Sequence, residues 1–221
     1  VTIAVPIIKL RMKLYLFGGA ELQLGQGQPM ISLIREILVG INPKQVLYIP
    51  FARRQVPEGE EDIWGEGWFV RSMRGTGIEI LDAQKEEDVE KAHNPVILVS
   101  GGRDREYVLE KIRSHSRLRE LVYGASIYVG ESSGTMILGE YLRKGKEGAE
   151  FMSGLGILKN TIIEPHYRER NYQQLLRDEM KKGGAKYGVG IDCVTGIVFD
   201  LDKFPDSYEI IGEGSVEVIN R

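Results

Sequence analysis

A chain of 221 residues, 42% hydrophobic and 28% charged, has the make-up of a globular protein, and 29 Lys and Arg against 32 Asp and Glu leave a net charge of −3. That balance offers no basic stripe for nucleic acid, and no apolar run reaches the length of a membrane span. The lone Cys193 excludes an intramolecular disulfide and points to a reducing, cytoplasmic setting; flanked by Ile191, Val194 and Ile197, it reads as a small buried hydrophobe.

Residues 1–11 (VTIAVPIIKLR) lack a basic start before the apolar run and a small-residue cleavage site, so they read as a leader or extension ahead of a single α/β domain over residues 12–221. Lys13 to Phe17 is a strand that ends at Gly18-Gly19. Met30 to Val39 carries Ile31, Ile34, Ile37 and Leu38 at helical spacing and stops at Gly40. Gln45 to Pro50 is a second strand, Glu61 to Met73 a helix despite Gly65 and Gly67, and Ile78 to Leu81 a third strand. Pro95 to Ser100 is apolar almost throughout, as a strand covered on both faces must be. A helix over Arg105 to Ser114, a strand over Ser126 to Val129 and a helix over Gly134 to Leu142 follow. In the last third, Ile157–Ile163, Gly190–Phe199 and Tyr208–Ile219 read as strands and Tyr172–Met180 as a helix, a mixed extension of the same sheet. The alternation predicts an α/β fold with a doubly wound, mostly parallel sheet and helices on both faces.

Ligands in such folds sit beyond the carboxyl ends of the strands, which singles out the loops Gly18–Glu21, Phe51–Arg54, Gly101–Asp104 and Gly130–Gly134. In the last of these an apolar strand runs into Gly130-Glu131-Ser132-Ser133-Gly134 and then a helix, the setting of a nucleophile elbow. The two glycines let strand and helix approach each other while the Ser132 hydroxyl projects above the sheet. The N–H of Ser133 can donate to an anionic intermediate, and Gly102, at the end of the buried strand, supplies a second such N–H. Of three histidines, His93 and His115 lie in polar surroundings, whereas His166 follows a short strand and is the best general base. Arg103 and Arg170 are candidates for gripping a substrate carboxylate through paired donors. With no HExxH and no Cys-His set, neither a metal nor a cofactor is expected.

Taken in order, Ser100-Gly101-Gly102, Gly130-Glu131-Ser132-Ser133-Gly134, Gly154-Leu155-Gly156-Ile157-Leu158, Pro165-His166-Tyr167 with Arg170, and Gly188-Val189-Gly190-Ile191-Asp192 resemble the dipeptidase E and cyanophycinase family of serine peptidases. The resemblance covers nearly all of residues 12–221, and the chain's shortness is similar to the dipeptidase branch. It implies a fold related to class I glutamine amidotransferases, a Ser-His-acid triad, and cleavage after an aspartyl residue in short N-terminal Asp peptides or in the β-aspartyl-arginine units of cyanophycin. It places the acid between the elbow helix and the Gly-Leu-Gly strand, hence at Glu150 or Glu147, with Asp192 in reserve and among the candidate substrate residues. The chain departs from the family at Ser133 (usually Ala), at Arg103-Asp104 (usually Asn-Thr), and at Cys193 (commonly Glu). The expected partner is a small peptide, with self-association into a homodimer admitted. The competing functions are another acyl hydrolysis on the same fold and a non-catalytic binding protein.

Overall fold

The computed structural model describes residues 12–54, 56, 58–65, 67–145 and 150–221, so the expected leader over 1–11 lies outside the described residues. The strands in chain order are β1 (Lys13–Phe17), β2 (Gln45–Ile49), β3 (Glu79–Asp82), β4 (Val96–Val99), β5 (Ile127–Glu131), β6 (Tyr141–Lys144), β7 (Glu150–Ser153), β8 (Thr161–Pro165), β9 (Tyr187–Ile191), β10 (Thr195–Asp200), β11 (Glu209–Gly212) and β12 (Val216–Asn220). Seven of them form one sheet in the order β11-β10-β1-β5-β4-β2-β3. The block from β1 to β3 is parallel, while β10 and β11 join antiparallel beyond β1.

Successive side chains of a strand face opposite sides of its sheet, and the core divides accordingly. Val46 and Tyr48 of β2, with Val96 and Leu98 of β4, meet Met30, Ile34 and Leu38 of the helix Gly27–Ile41. Leu47 and Ile49, with Ile97 and Val99, meet Val108, Leu109 and Ile112 of the helix Arg105–Ser114 and Leu118 and Val122 of the helix Ser116–Tyr123. Both faces of the parallel block are therefore buried, which is why its strands are apolar without alternation. Among the described residues no helix is long and apolar enough to cross a membrane.

Several predicted elements divide differently. The helix after Ser132 is a single turn, Ser133–Met136, and residues 141–144 are strand instead; Met136, Ile137 and Leu138 are buried in the core whichever way the backbone runs, so their apolarity carried no helical information. The helix over 61–73 is two short ones, Glu61–Trp64 and Trp68–Ser72, with an interruption at Gly65. The helix Ser116–Tyr123, hidden behind the polar run Ser114-His115-Ser116, starts where His115 Nδ1 accepts the Leu118 N–H at 3.2 Å. The last third is not an extension of one sheet. The segment 190–199 bends at Asp192–Val194 and 208–219 bends after Gly212, so β10 and β11 stay with the large sheet while β12, β9 and β8 form a second sheet of three strands.

That division positions the site. β1, β5 and β4 are neighbours in the large sheet, and their carboxyl ends open into residues 18–21, 132 and 100–102. The second sheet brings the end of β8 against them, where the His166 N–H donates to the Gly18 carbonyl at 3.0 Å.

Candidate active site

Ser132 follows β5 in a conformation that side chains seldom adopt, φ 51° and ψ −110°. The turn is held from below: the Ser132 N–H donates to the Phe17 carbonyl at 3.0 Å, and Thr135 Oγ1 accepts the Phe17 N–H at 3.1 Å. Gly134 is required because a Cβ there would lie 2.1 Å from the Val99 carbonyl oxygen, so helix and sheet could not close on each other.

Ser132 Oγ lies 2.9 Å from His166 Nε2. His166 is itself at positive φ, 52°, one residue beyond β8, and is buried. Gly19 roofs the pair; a Cβ on it would come within 2.9 Å of both the imidazole and the Ser132 Cβ. A hydroxyl and an imidazole from different sheets are thereby pressed together under bare backbone.

The other ring nitrogen faces a carboxylate the sequence reading missed. Glu21 Oε1 lies 2.9 Å from His166 Nδ1 and accepts from Arg170 Nε at 2.5 Å, while Oε2 accepts from Gln23 Nε2 at 2.7 Å. The hydrogen bond to His166 is the largest influence on Glu21 and, with those from Arg170 and Gln23, outweighs burial and pulls its pKa down to about 2. The signal was present in the loop Gly18–Glu21, which closes the strand beside β5 and brings an acid to its fourth position.

The expected acids stand elsewhere. Glu150 is exposed on β7 and faces Lys144 Nζ at 3.7 Å, because that segment is a surface hairpin with β6. Glu147 lies outside the described residues. Asp192 is buried, but its carboxylate accepts from the Ser215 N–H at 2.9 Å and from the Arg168 N–H at 3.2 Å. It braces the bend between β9 and β10 and is not among the residues that line the cavity over Ser132.

Gly102 and Ser133, the predicted oxyanion donors, face each other across the elbow. Ser133 Oγ donates to the Gly102 carbonyl, and neither residue's N–H has a hydrogen-bond partner among the described residues. This gives the serine in place of alanine a visible task, tying the two loops together. Beneath them, Glu131 accepts from the Gly101 N–H at 2.5 Å and from Arg53 at 2.6 Å. The Arg53 guanidinium stacks 4.0 Å from the Trp64 ring centroid. Glu131 and Arg53 were not among the predicted site residues; a charge closing an otherwise apolar strand was the available sign.

A cavity of about 500 Å³ opens over Ser132 and His166 and is rich in arginine, with Arg53, Arg103, Arg105, Arg143 and Arg170 on its wall. Arg170 and Arg53 are paired with Glu21 and Glu131, while Arg103 is exposed at the rim. Trp64 is buried and forms part of the wall.

The model of a family described as Peptidase family S51 matches residues 14–204. The cyanophycinase of Geminocystis herdmanii (strain PCC 6308) is 28% identical over 121 residues, 51% of this chain and 42% of that protein. The cyanophycinase of Trichormus variabilis (strain ATCC 29413 / PCC 7937) is 27% identical over 213 residues, 84% of this chain and 68% of that protein. The match therefore spans less than half of the first relative and about two thirds of the second. Among solved structures, a peptidase from an acI-B1 Actinobacterium superposes with a TM-score of 0.64 at 21% identity, covering 96% of this chain and 97% of that one. A putative peptidase E protein from Listeria monocytogenes EGD-e gives a TM-score of 0.58 at 15% identity, over 92% of this chain and 100% of that one. These two likenesses show the shared α/β fold.

Proposed function

The chain belongs to peptidase family S51, and from that premise we propose that it hydrolyses peptide bonds with Ser132 as nucleophile, His166 as general base and acid, and Glu21 as the carboxylate that orients the imidazole. The observation that carries this reading is the unbroken line from Ser132 Oγ through both ring nitrogens of His166 to Glu21, with 2.9 Å at each step. Glu21, with its pKa near 2, is an anion at any pH at which an imidazole can act as a base. It therefore holds the Nδ1–H tautomer, leaving Nε2 to take the Ser132 proton as the hydroxyl attacks the scissile carbonyl. The N–H groups of Gly102 and Ser133 receive the developing oxyanion. His166 then hands its proton to the leaving amine, and water releases the acyl group by the same route in reverse.

The arginine-lined wall favours a substrate with a carboxylate near the scissile bond, and an aspartyl residue at the N-terminus of a short peptide meets that need. Arg103 and Arg170 are its candidate contacts. A second reading is favoured by the cyanophycinase relatives: the same site would accept β-aspartyl-arginine units of a longer polymer. Residues 12–221 form, on this proposal, one doubly wound domain of the class I glutamine amidotransferase type, working in the cytoplasm. A cleavage panel varying the first residue among Asp, isoAsp, Asn and Ala, with cyanophycin alongside, separates the two substrates. Ser132→Ala lowers kcat/KM by about 10⁴-fold or more on whichever is cleaved. An unchanged rate in that variant removes the mechanism.

A further inference from the structure

Cys193 takes no part in that mechanism, yet its Sγ lies 3.1 Å from His166 Nδ1, on the nitrogen that also faces Glu21. The bend between β9 and β10 puts it there, fixed by the Cys193 N–H donating to Glu169 Oε1 at 3.1 Å. The Nδ1–H already points at a carboxylate, which leaves the thiol nothing to donate to on the ring. Donor atoms from Glu21, His166 and Cys193 all lie within 4.8 Å of one another, and all three residues are buried.

We propose that Glu21, His166 and Cys193 form an inhibitory site for a thiophilic divalent cation of the zinc type, which switches the peptidase off by seizing Nδ1. One oxygen, one imidazole nitrogen and one sulfur is a donor set that zinc accepts and that magnesium and calcium, which take oxygen ligands, do not. With bonds of about 2.0–2.3 Å, neighbouring donors around a tetrahedral cation stand roughly 3.3–3.8 Å apart. The spacings of 2.9 and 3.1 Å around Nδ1 need only a few tenths of an ångström of relaxation. Arg170, which shares the Glu21 oxygen, has a side chain 43% exposed and can turn outward as the cation arrives.

The proton balance explains the inhibition. On binding, the thiol proton leaves to solvent and the thiolate, the carboxylate and a neutral imidazole hold the cation. A neutral imidazole bound through Nδ1 carries its proton on Nε2, so the proton that faced Glu21 now faces Ser132. Nε2 becomes a donor and cannot accept the hydroxyl proton. One proton is released per cation, with no change in oxidation state.

This inference concerns regulation of the site and rests on the catalytic reading above only for its effect on rate; binding is tested separately. Cadmium titrated into the metal-free protein gives an ultraviolet thiolate-to-cadmium band that saturates at one equivalent and that zinc displaces. Cys193 is the chain's single cysteine, so the band reports that sulfur alone. Ser132→Ala, which is inert on the catalytic reading, keeps the band. Cys193→Ser loses it, and Glu21→Gln weakens cadmium binding at least about tenfold. In assays of rate with and without zinc, Cys193→Ser raises the zinc concentration for half-inhibition at least about tenfold. Thermal unfolding of Cys193→Ser and Cys193→Ala shows whether each variant is folded. No saturable band in the wild-type protein, cadmium binding undiminished in Glu21→Gln, or equal zinc sensitivity in a folded Cys193 variant overturns the proposal. If no peptide is cleaved at all, the cadmium band still decides the site.

Discussion

Glu21 and Glu179 are both buried glutamates beside an arginine, and their surroundings drive them in opposite directions. Glu21 sits at the junction of the two sheets with three donors aimed at it, and its pKa falls to about 2. Glu179, on the helix Gln173–Gly183, has Arg143 Nε 3.4 Å away, but that guanidinium already gives Nε and NH2 hydrogen bonds to Glu164 at 3.0–3.2 Å. Burial and the neighbouring Glu164 therefore prevail, and the Glu179 pKa rises to about 9. What separates an anion from an acid here is not burial or the presence of a cation. It is whether the donors are still unspent when the carboxylate reaches them. The anion faces the imidazole, and the neutral acid stands behind Arg143, which lines the cavity.

The sharpest way to break the comparison is to remove each charge in turn. Glu21→Gln keeps the shape but lets the imidazole take the wrong tautomer, and kcat is expected to fall about 10³–10⁴-fold in steady-state assays. A rate within tenfold of wild type means that another acid serves His166. Glu179→Gln replaces a group that is already neutral. Between about pH 4.5, its ordinary pKa, and about 9, the folded chain holds a proton that the unfolded chain has lost, so stability falls as pH rises through that window. The amide removes this slope and stabilises the alkaline protein in denaturant titrations; a slope that survives the change shows that Glu179 is ionised in the fold.

The same titrations carried to acid read Glu21. Its folded pKa is depressed, so its stabilisation is present above about pH 4.5 and is lost as pH falls toward about 2. Glu21→Gln flattens this acid limb by on the order of 2 kcal/mol. The smallest expected effect is at Glu150, exposed opposite Lys144, where Gln should change kcat/KM by less than about twofold and stability by less than about 0.5 kcal/mol. A large loss there would restore the acid that the resemblance had pointed to.

The sequence made the parallel block and the elbow legible because both obey local rules. Val96–Val99 is apolar throughout since both faces are covered, and Gly134 is glycine since a carbonyl occupies the place of its Cβ. His166 was legible by elimination among three histidines. The acid was not, because the contact between Glu21 and His166 joins residues 145 positions apart across two sheets, and no periodicity reports such a meeting. The bends at Asp192–Val194 and after Gly212 were missed for a related reason: each joins two β-rich runs that differ only in which sheet receives them.

The serine is carried by the seven-stranded sheet and the imidazole by the three-stranded one, and His166 is tied across the seam by its N–H to the Gly18 carbonyl and by its ring to Glu21. Registration of the two halves is thus set by mutual docking and not by the rigidity of either. A displacement of a single ångström would uncouple hydroxyl from imidazole while leaving every strand intact. Warming should accordingly silence the proposed activity some degrees before the chain melts, and substrates that span the joint should delay that loss.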